Sequence, residues 1–189
     1  VEGAAQSKIR YPNLVFSFFG NKRKIAPLIN SLGILQNSKI IHTSDIIDAN
    51  EKPSIAVRKG KNSSMAMAIQ LVKSRKADAV VSAGNTGALM AMTKLFLRPM
   101  EGITRPAIAA YFPTIAGESC MLDLGANIEC DAKNLVQFAF MGQAFANIVM
   151  GITNPTISLL NIGEEEQKGL DYIKEASKIL ISLKNQINY

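Results

Sequence analysis

The chain has 189 residues, 48% of them hydrophobic and 19% charged, with a net charge of +6 and a pI near 9.4. Those values suit one ordinary soluble domain with a real core, and they exclude a disordered, collagen-like or disulfide-stapled chain. No apolar run is long enough to span a bilayer, and a single histidine, His42, leaves no material for a Ser-His-Asp triad or a His-rich metal site.

The opening, Val1-Glu2-Gly3-Ala4-Ala5-Gln6, reads as a helix entered part-way, so the chain is expected to be cut at its start. Residues 14–19 form a short apolar run closed by Gly20-Asn21, a strand ending in a turn. Helical spacing follows over residues 24–32, with Gly33 just past the end, and residues 40–42 make a second strand. Residues 63–73 carry Met65, Ala68, Ile69 and Val72 on one face, an amphipathic helix with serine near its start. Next comes a buried strand over 77–81, a tight turn over 82–87, and a helix over 88–96. Residues 107–111 and 119–124 read as two strands, joined as a hairpin through Ala116-Gly117. A long helix, apolar almost all round, covers 131–150; a strand at 156–160 and an amphipathic helix over 169–183 complete the pattern. Short apolar strands alternating with helices predict a single α/β domain over 1–189, with a mostly parallel sheet covered on both faces. The chain stops at Asn188-Tyr189, where another strand is expected, so both ends are expected to be truncated.

Cys120 and Cys130 sit in apolar company without metal-ligand spacing and read as reduced, buried and structural. The positive charge favours an acidic partner. Its residues come in short groups, Lys22-Arg23-Lys24, Arg58-Lys59-Gly60-Lys61 and Lys73-Ser74-Arg75-Lys76, which suit solvated helix ends and loops as well as they suit a ligand. With no interleaved aromatics and no tryptophan, they form no stacking platform, and no nucleic-acid partner is expected.

Any chemistry must therefore run on carboxylates, amides, hydroxyls, backbone N–H groups and cations. In open α/β sheets ligands gather beyond the carboxyl ends of strands, and three loops of small or polar residues are predicted there. In Ser82-Ala83-Gly84-Asn85-Thr86-Gly87-Ala88 the glycines permit close backbone approach and the helix start offers an anion site. Ser82, Gly84, Thr86 and Gly87 are candidate binding residues, and Asn85 a candidate oxyanion donor; the same string also suits a plain turn that needs glycine for shape and Asn-Thr for capping. It is neither a P-loop nor a dinucleotide fingerprint. In Leu122-Asp123-Leu124-Gly125-Ala126-Asn127, Asp123 is either a cap for a neighbouring loop or an acceptor that orients a substrate and takes up a proton. In Asn161-Ile162-Gly163-Glu164-Glu165-Glu166 an amide at a strand end suits a ligand-facing turn, while the acidic triplet suits a helix entry. Arg58, Lys59 and Arg105 are the cations best placed to complete an anion pocket, against the simpler reading of surface charge.

Six strings in order, spanning essentially the whole chain, resemble the PlsX family of phosphate acyltransferases. They are Glu51-Lys52-Pro53-Ser54 with Arg58-Lys59, Ser63-Ser64-Met65, residues 77–88, Gly102-Ile103-Thr104-Arg105-Pro106-Ala107, residues 122–130, and Leu160-Asn161-Ile162-Gly163-Glu164-Glu165 with Lys168-Gly169. The resemblance implies a three-layer α/β/α fold with a mostly parallel sheet, like the isocitrate and isopropylmalate dehydrogenases and related to phosphotransacetylases. It implies an acyltransferase that moves a long fatty acyl group from acyl carrier protein to orthophosphate, giving acyl-phosphate for phospholipid synthesis. It further implies a cytoplasmic homodimer, peripheral on the inner face of the membrane, with no cofactor and no metal. An acidic carrier protein would account for the basic surface. A phosphotransacetylase-like enzyme using acyl-CoA, or a non-catalytic carrier-binding fragment, are the alternatives. The family's Asp-Ala-Met-Gly-Gly-Asp segment and its C-terminal glycine-rich part are not in this chain, and Phe96-Leu97-Arg98-Pro99-Met100 stands where the family more often has a Gly-Arg step. The expected chemistry is direct attack of phosphate on a thioester. Asn85, Asp123 and Asn127 are catalytic; Ser82, Gly84, Thr86, Gly87, Arg58, Lys59, Arg105 and Asn161 bind substrate.

Overall fold

The apolar run before Gly20 and the one before His42 find each other. In the computed structural model, which describes residues 1–115, 117–163, 165 and 168–189, β1 (Ser17–Gly20) and β2 (Lys39–His42) pair in parallel, with Ser17 opposite Lys39 and Gly20 opposite His42. Between them runs α2 (Lys22–Ser31), whose start is fixed by Asn21: its side-chain oxygen accepts the Arg23 N–H at 3.0 Å. Together with α1 (Glu2–Arg10), these elements bury Ala5, Ile29 and Leu35 among Phe16, Phe18, Ile25 and Ile40.

A second core lies among three helices, α3 (Pro53–Lys59), α4 (Ser64–Lys73) and α5 (Thr86–Leu97). Ser63 starts α4. Fully buried, it accepts the Ala66 N–H at 3.3 Å and donates to the Gly60 carbonyl at 2.6 Å, so both capacities of its hydroxyl are used. Ala56, Ala66 and Ala88 are fully buried where the helices meet, and Ile69 and Met92 fill the space between them. Alanine at those crossings lets backbones approach closely. α3 was not foreseen: seven residues are too few to show a helical period.

These elements form one compact unit, Val1–Arg98; Pro99–Tyr189 is a second. In the second, β3 (Ala110–Thr114) and β4 (Gly117–Met121) form the expected antiparallel hairpin, with Tyr111 opposite Cys120. α6 (Ala132–Val149) opens on a capping box, in which Asp131 accepts the Asn134 N–H at 2.7 Å and Asn134 accepts the Asp131 N–H at 3.3 Å. α6 packs on α7 (Asp171–Ser182) through Ala139, Leu180 and Ile187, with Val136, Phe140, Ile157 and Leu159 at the margin.

The chain is thus α/β. Two expected strands are corrected, however. Residues 77–81 and 156–160 join no ladder among the described residues. Val81 is 96% exposed rather than buried, and the Ile157 N–H makes one bond, to the Asn188 carbonyl at 2.8 Å. An apolar run is only a potential strand; without a partner offering N–H and C=O groups along its length it remains an extended segment. The ladders described are one parallel pair and one antiparallel pair. Cys120 and Cys130 are free, as expected, but half-buried rather than buried.

Candidate functional site

Asn85 organises the turn before α5. Its carboxamide oxygen accepts the Ala88 N–H at 2.9 Å, capping the helix, while its amide nitrogen faces the carbonyls of Asp48, Ala49 and Glu51 at 3.2, 3.0 and 2.9 Å. One side chain therefore ties the turn to the segment leading into α3. The Ser82 hydroxyl accepts the Gly84 N–H at 3.2 Å, tightening the same turn. Both glycines have a packing reason. A Cβ on Gly87 would lie 2.8 Å from Cγ of Pro53, and one on Gly84 would lie 3.1 Å from Cε of Met65. Ser82, Ala83, Gly84, Thr86 and Gly87 remain exposed, so the positive end of α5 opens to solvent.

The cations near this turn stand at the two ends of α3. Pro53 is the end of α3 that meets the turn; Arg58 and Lys59 occupy the last turn of that helix, exposed, about 7.5 and 9 Å further along at 1.5 Å per residue. Lys52 is the cation whose backbone lies at the turn, between Glu51, which accepts from Asn85, and Pro53, which meets Gly87. Sequence reasoning quoted it only within a longer string. The signal was its place before a proline at a helix start. His42 does capping work, its Nδ1 accepting the Lys22 N–H at 3.1 Å.

In the second unit the candidates share one polar frame. Asp123 Oδ1 accepts the Ile108 N–H at 2.7 Å, and Oδ2 accepts the backbone N–H of Asn127 at 2.8 Å and its side-chain nitrogen at 3.0 Å. Asn127 also donates to the Pro106 carbonyl at 2.9 Å. The half-buried carboxylate thus holds two loops, 105–108 and 123–127, to one another, and its lone pairs face donors that fix its orientation. Arg105 is exposed, with Nη1 donating to the Glu129 carbonyl at 2.8 Å. Behind these loops, α6 supplies two buried amides that sequence reasoning missed, Asn134 and Gln137, both bonded to Thr104. A pair of amides three residues apart in the first turns of a mostly apolar helix was the available signal.

Cys130 adjoins this frame without the character of a nucleophile. Burial pushes its thiol above the usual value, the Asp123 charge adds to the rise, Arg105 opposes it and Asp131 reinforces it. Burial alone raises Cys120. Both therefore stay protonated at neutral pH, and the thiol is the unreactive form. Among the described residues no group of three or more His, Cys, Asp or Glu is placed to hold a metal ion.

Asn161 closes the third loop. Its amide nitrogen donates to the carbonyls of Gly163 and Lys168, both at 3.2 Å, and Lys168 pairs with Glu165 at 2.7 Å. Glu164 and Glu166 of the expected acidic triplet lie outside the described residues. The structure therefore brings together Ser82, Gly84, Asn85, Thr86 and Gly87 in one unit, and Arg105, Asp123 and Asn127 in the other.

A family model described as fatty acid synthesis protein matches residues 1–189. A phosphate acyltransferase of Rhodospirillum centenum is 52% identical over 181 residues, covering 95% of this chain and 51% of the relative. One of Parvibaculum lavamentivorans is 50% identical over 182 residues, 95% of this chain and 50% of the relative. One of Xanthobacter autotrophicus is 46% identical over 189 residues, 99% of this chain and 53% of the relative. The chain spans about half the length of the curated relatives it matches.

Proposed function

The chain belongs to the fatty acid synthesis protein family, the PlsX-type phosphate acyltransferases, and from that membership we propose that the protein carrying it moves a long fatty acyl group from acyl carrier protein to orthophosphate. The product is acyl-phosphate, destined for phospholipid synthesis. The observation that carries this reading is the match along all of residues 1–189, with relatives of 46–52% identity named phosphate acyltransferase.

The proposed chemistry is direct. A phosphate oxygen attacks the thioester carbonyl carbon, the carbon–sulfur bond breaks, and the thiolate leaves with its electron pair and takes up the proton that phosphate releases. A thiolate leaves readily, so no covalent enzyme intermediate is needed, which accords with the raised thiols of Cys120 and Cys130. Positioning and oxyanion stabilisation then lower the barrier, one well-aimed donor contributing about 3 kcal/mol. In this reading the N–H groups of Thr86 and Gly87, with Ser82 and Gly84 shaping the turn, are the first unit's anion-binding element. Arg105 holds phosphate through its guanidinium fork. Asn85, Asp123 and Asn127 act as positioning residues, since the hydrogen bonds of each are made to the loops they hold. Arg58, Lys59 and Lys52 meet the anionic groups of the acidic carrier, and Asn161 shapes its loop. The fold is proposed as the three-layer α/β/α arrangement of the isocitrate and isopropylmalate dehydrogenases. The intact protein is proposed to be a cytoplasmic homodimer peripheral to the membrane; no helix among the described residues is long and apolar enough to cross one.

The test uses the full-length protein: release of free thiol from a long-chain acyl-carrier protein, with acyl-phosphate trapped as the hydroxamate. Thiol release that requires phosphate is the expected result. Turnover of acyl-CoA but not of the carrier thioester would replace this reading with a phosphotransacetylase-like one, and carrier binding without turnover would leave a binding module.

A further inference from the structure

We propose that Gln137, with Asn134 one turn before it, is a positioning residue for phosphate, acting through the loop that presents Arg105; the inference rests on the acyltransferase reading above. Gln137 and Asn134 are 7% and 5% exposed, on a helix whose neighbouring buried residues are Phe138 and Ala139. Amides in such company are costly unless their donors and acceptors are met. Here they are met almost entirely by one loop. Gln137 Oε1 accepts the Thr104 N–H at 3.0 Å and the Thr104 hydroxyl at 2.9 Å, and Nε2 donates to the Gly102 carbonyl at 2.7 Å. Asn134 Nδ2 donates to the Thr104 hydroxyl at 3.0 Å, while Asn134 Oδ1 and N–H close the capping box with Asp131. Thr104 is held on both sides by the first turns of α6.

The next residues continue the chain of constraint. Arg105 Nη1 donates to the Glu129 carbonyl at 2.8 Å, the Pro106 carbonyl accepts from Asn127, and the Ile108 N–H is fixed by Asp123. The guanidinium has five N–H donors in a rigid fork, so its value to phosphate depends on where its backbone stands. An apolar side chain at 137 would fill the helix interface without the desolvation that an amide suffers. What the amide adds is the register of the loop relative to α6. A displacement near 1 Å at a substrate-holding group costs on the order of 100-fold in rate, so a device that fixes that register belongs to the chemistry as well as to the fold.

The experiment uses the full-length protein and varies phosphate and carrier thioester separately, for Gln137→Met, Gln137→Glu, Arg105→Ala and the double variant Gln137→Met/Arg105→Ala. Gln137→Met keeps volume and loses all three bonds. It should raise the KM for phosphate by about tenfold or more, leaving that for the carrier thioester within about twofold. Gln137→Glu keeps the acceptor for Thr104 and should recover part of the loss. On the Arg105→Ala background Gln137→Met should add less than about twofold, because the residue through which it acts is gone. Equal rises in both KM values, or full additivity with Arg105→Ala, would overturn the inference; if Gln137→Met does not fold, Asn134→Ala and Gln137→Glu carry the same comparison. Wild-type turnover indifferent to phosphate would remove the acyltransferase reading and this inference with it. Phosphate-dependent wild type with additive variants removes this inference alone.

Discussion

The turn at 82–88 and the paired loops at 102–108 and 123–131 solve one problem in opposite ways. The turn is held by shape. Gly84 and Gly87 let Met65 and Pro53 approach, and one side chain, Asn85, supplies the cap and the tie to the 48–51 carbonyls. The paired loops are held by polar side chains, Asp123 and Asn127 from within them and Asn134 and Gln137 from α6. A shape-held turn leaves its backbone N–H groups facing outward for an anion. A network-held loop commits its side chains inward and presents what remains, here Arg105. The two should therefore fail differently when perturbed.

The largest effect is expected at Asp123. Asp123→Ala removes the acceptor for two backbone N–H groups and one amide, leaving them unpaired in a half-buried place. Hydrogen bonds to a charged group contribute about 1.5–3 kcal/mol each, so a stability loss of about 3 kcal/mol or more should appear in denaturant unfolding. Turnover should fall at least ~100-fold, beyond what the unfolded fraction explains. Loss of activity with unchanged stability would instead make Asp123 a proton acceptor and blur the contrast between the two regions. Asn85 comes next. Asn85→Ala removes a helix cap, worth about 1 kcal/mol, together with the tie to residues 48–51, for a total near 2 kcal/mol. Asn85→Asp keeps the cap and loses the tie. If the turn is held by shape, Asn85→Asp should retain most of the stability but lose turnover as Asn85→Ala does; equal activity of Asn85→Asp and wild type would show that the tie is dispensable.

The same contrast explains what was legible beforehand. Local signals worked where the structure depends on local physics. Ser63 and Asp131 were read near the starts of α4 and α6, Gly33 stood just past α2, and β3 and β4 paired as the expected hairpin, Ala116 of its turn lying outside the described residues. The 82–88 string was visible as a motif, yet its glycines proved to be explained by Pro53 and Met65, neighbours far away in sequence. Residues 77–81 and 156–160 passed every local test for a strand, but pairing is a property of two segments. α3 was lost because seven residues show too little of a helical period, although a proline at the first position, Pro53, suits a helix start. Gln137 was lost because attention to the apolar residues of α6 passed over the amides between them. Asp123 was left between cap and proton acceptor, and the hydrogen bonds it accepts favour the cap.

Cys130 offers the smallest effect and the finest probe, because it reports on the charges of the paired loops while Cys120 sits on the hairpin outside them. Both thiols titrate above the ordinary value of 9.0, burial being the first cause in each. A raised thiol means the folded state disfavours the thiolate. Its contribution to stability is complete below the unfolded value and is lost as pH climbs through the folded one, so a modest fall in stability is expected only above about pH 9. Alkylation by iodoacetamide, followed at each cysteine by mass spectrometry across pH, should show both inflections above 9.0. Arg105 opposes the rise at Cys130, so Arg105→Ala should move that inflection higher; Asp123 adds to it, so Asp123→Asn should move it lower, provided the loops stay folded. Cys120 should respond to neither. A matching shift at Cys120 would mean that the substitutions loosen the whole unit, and the paired loops would then lose their standing as a separate polar frame.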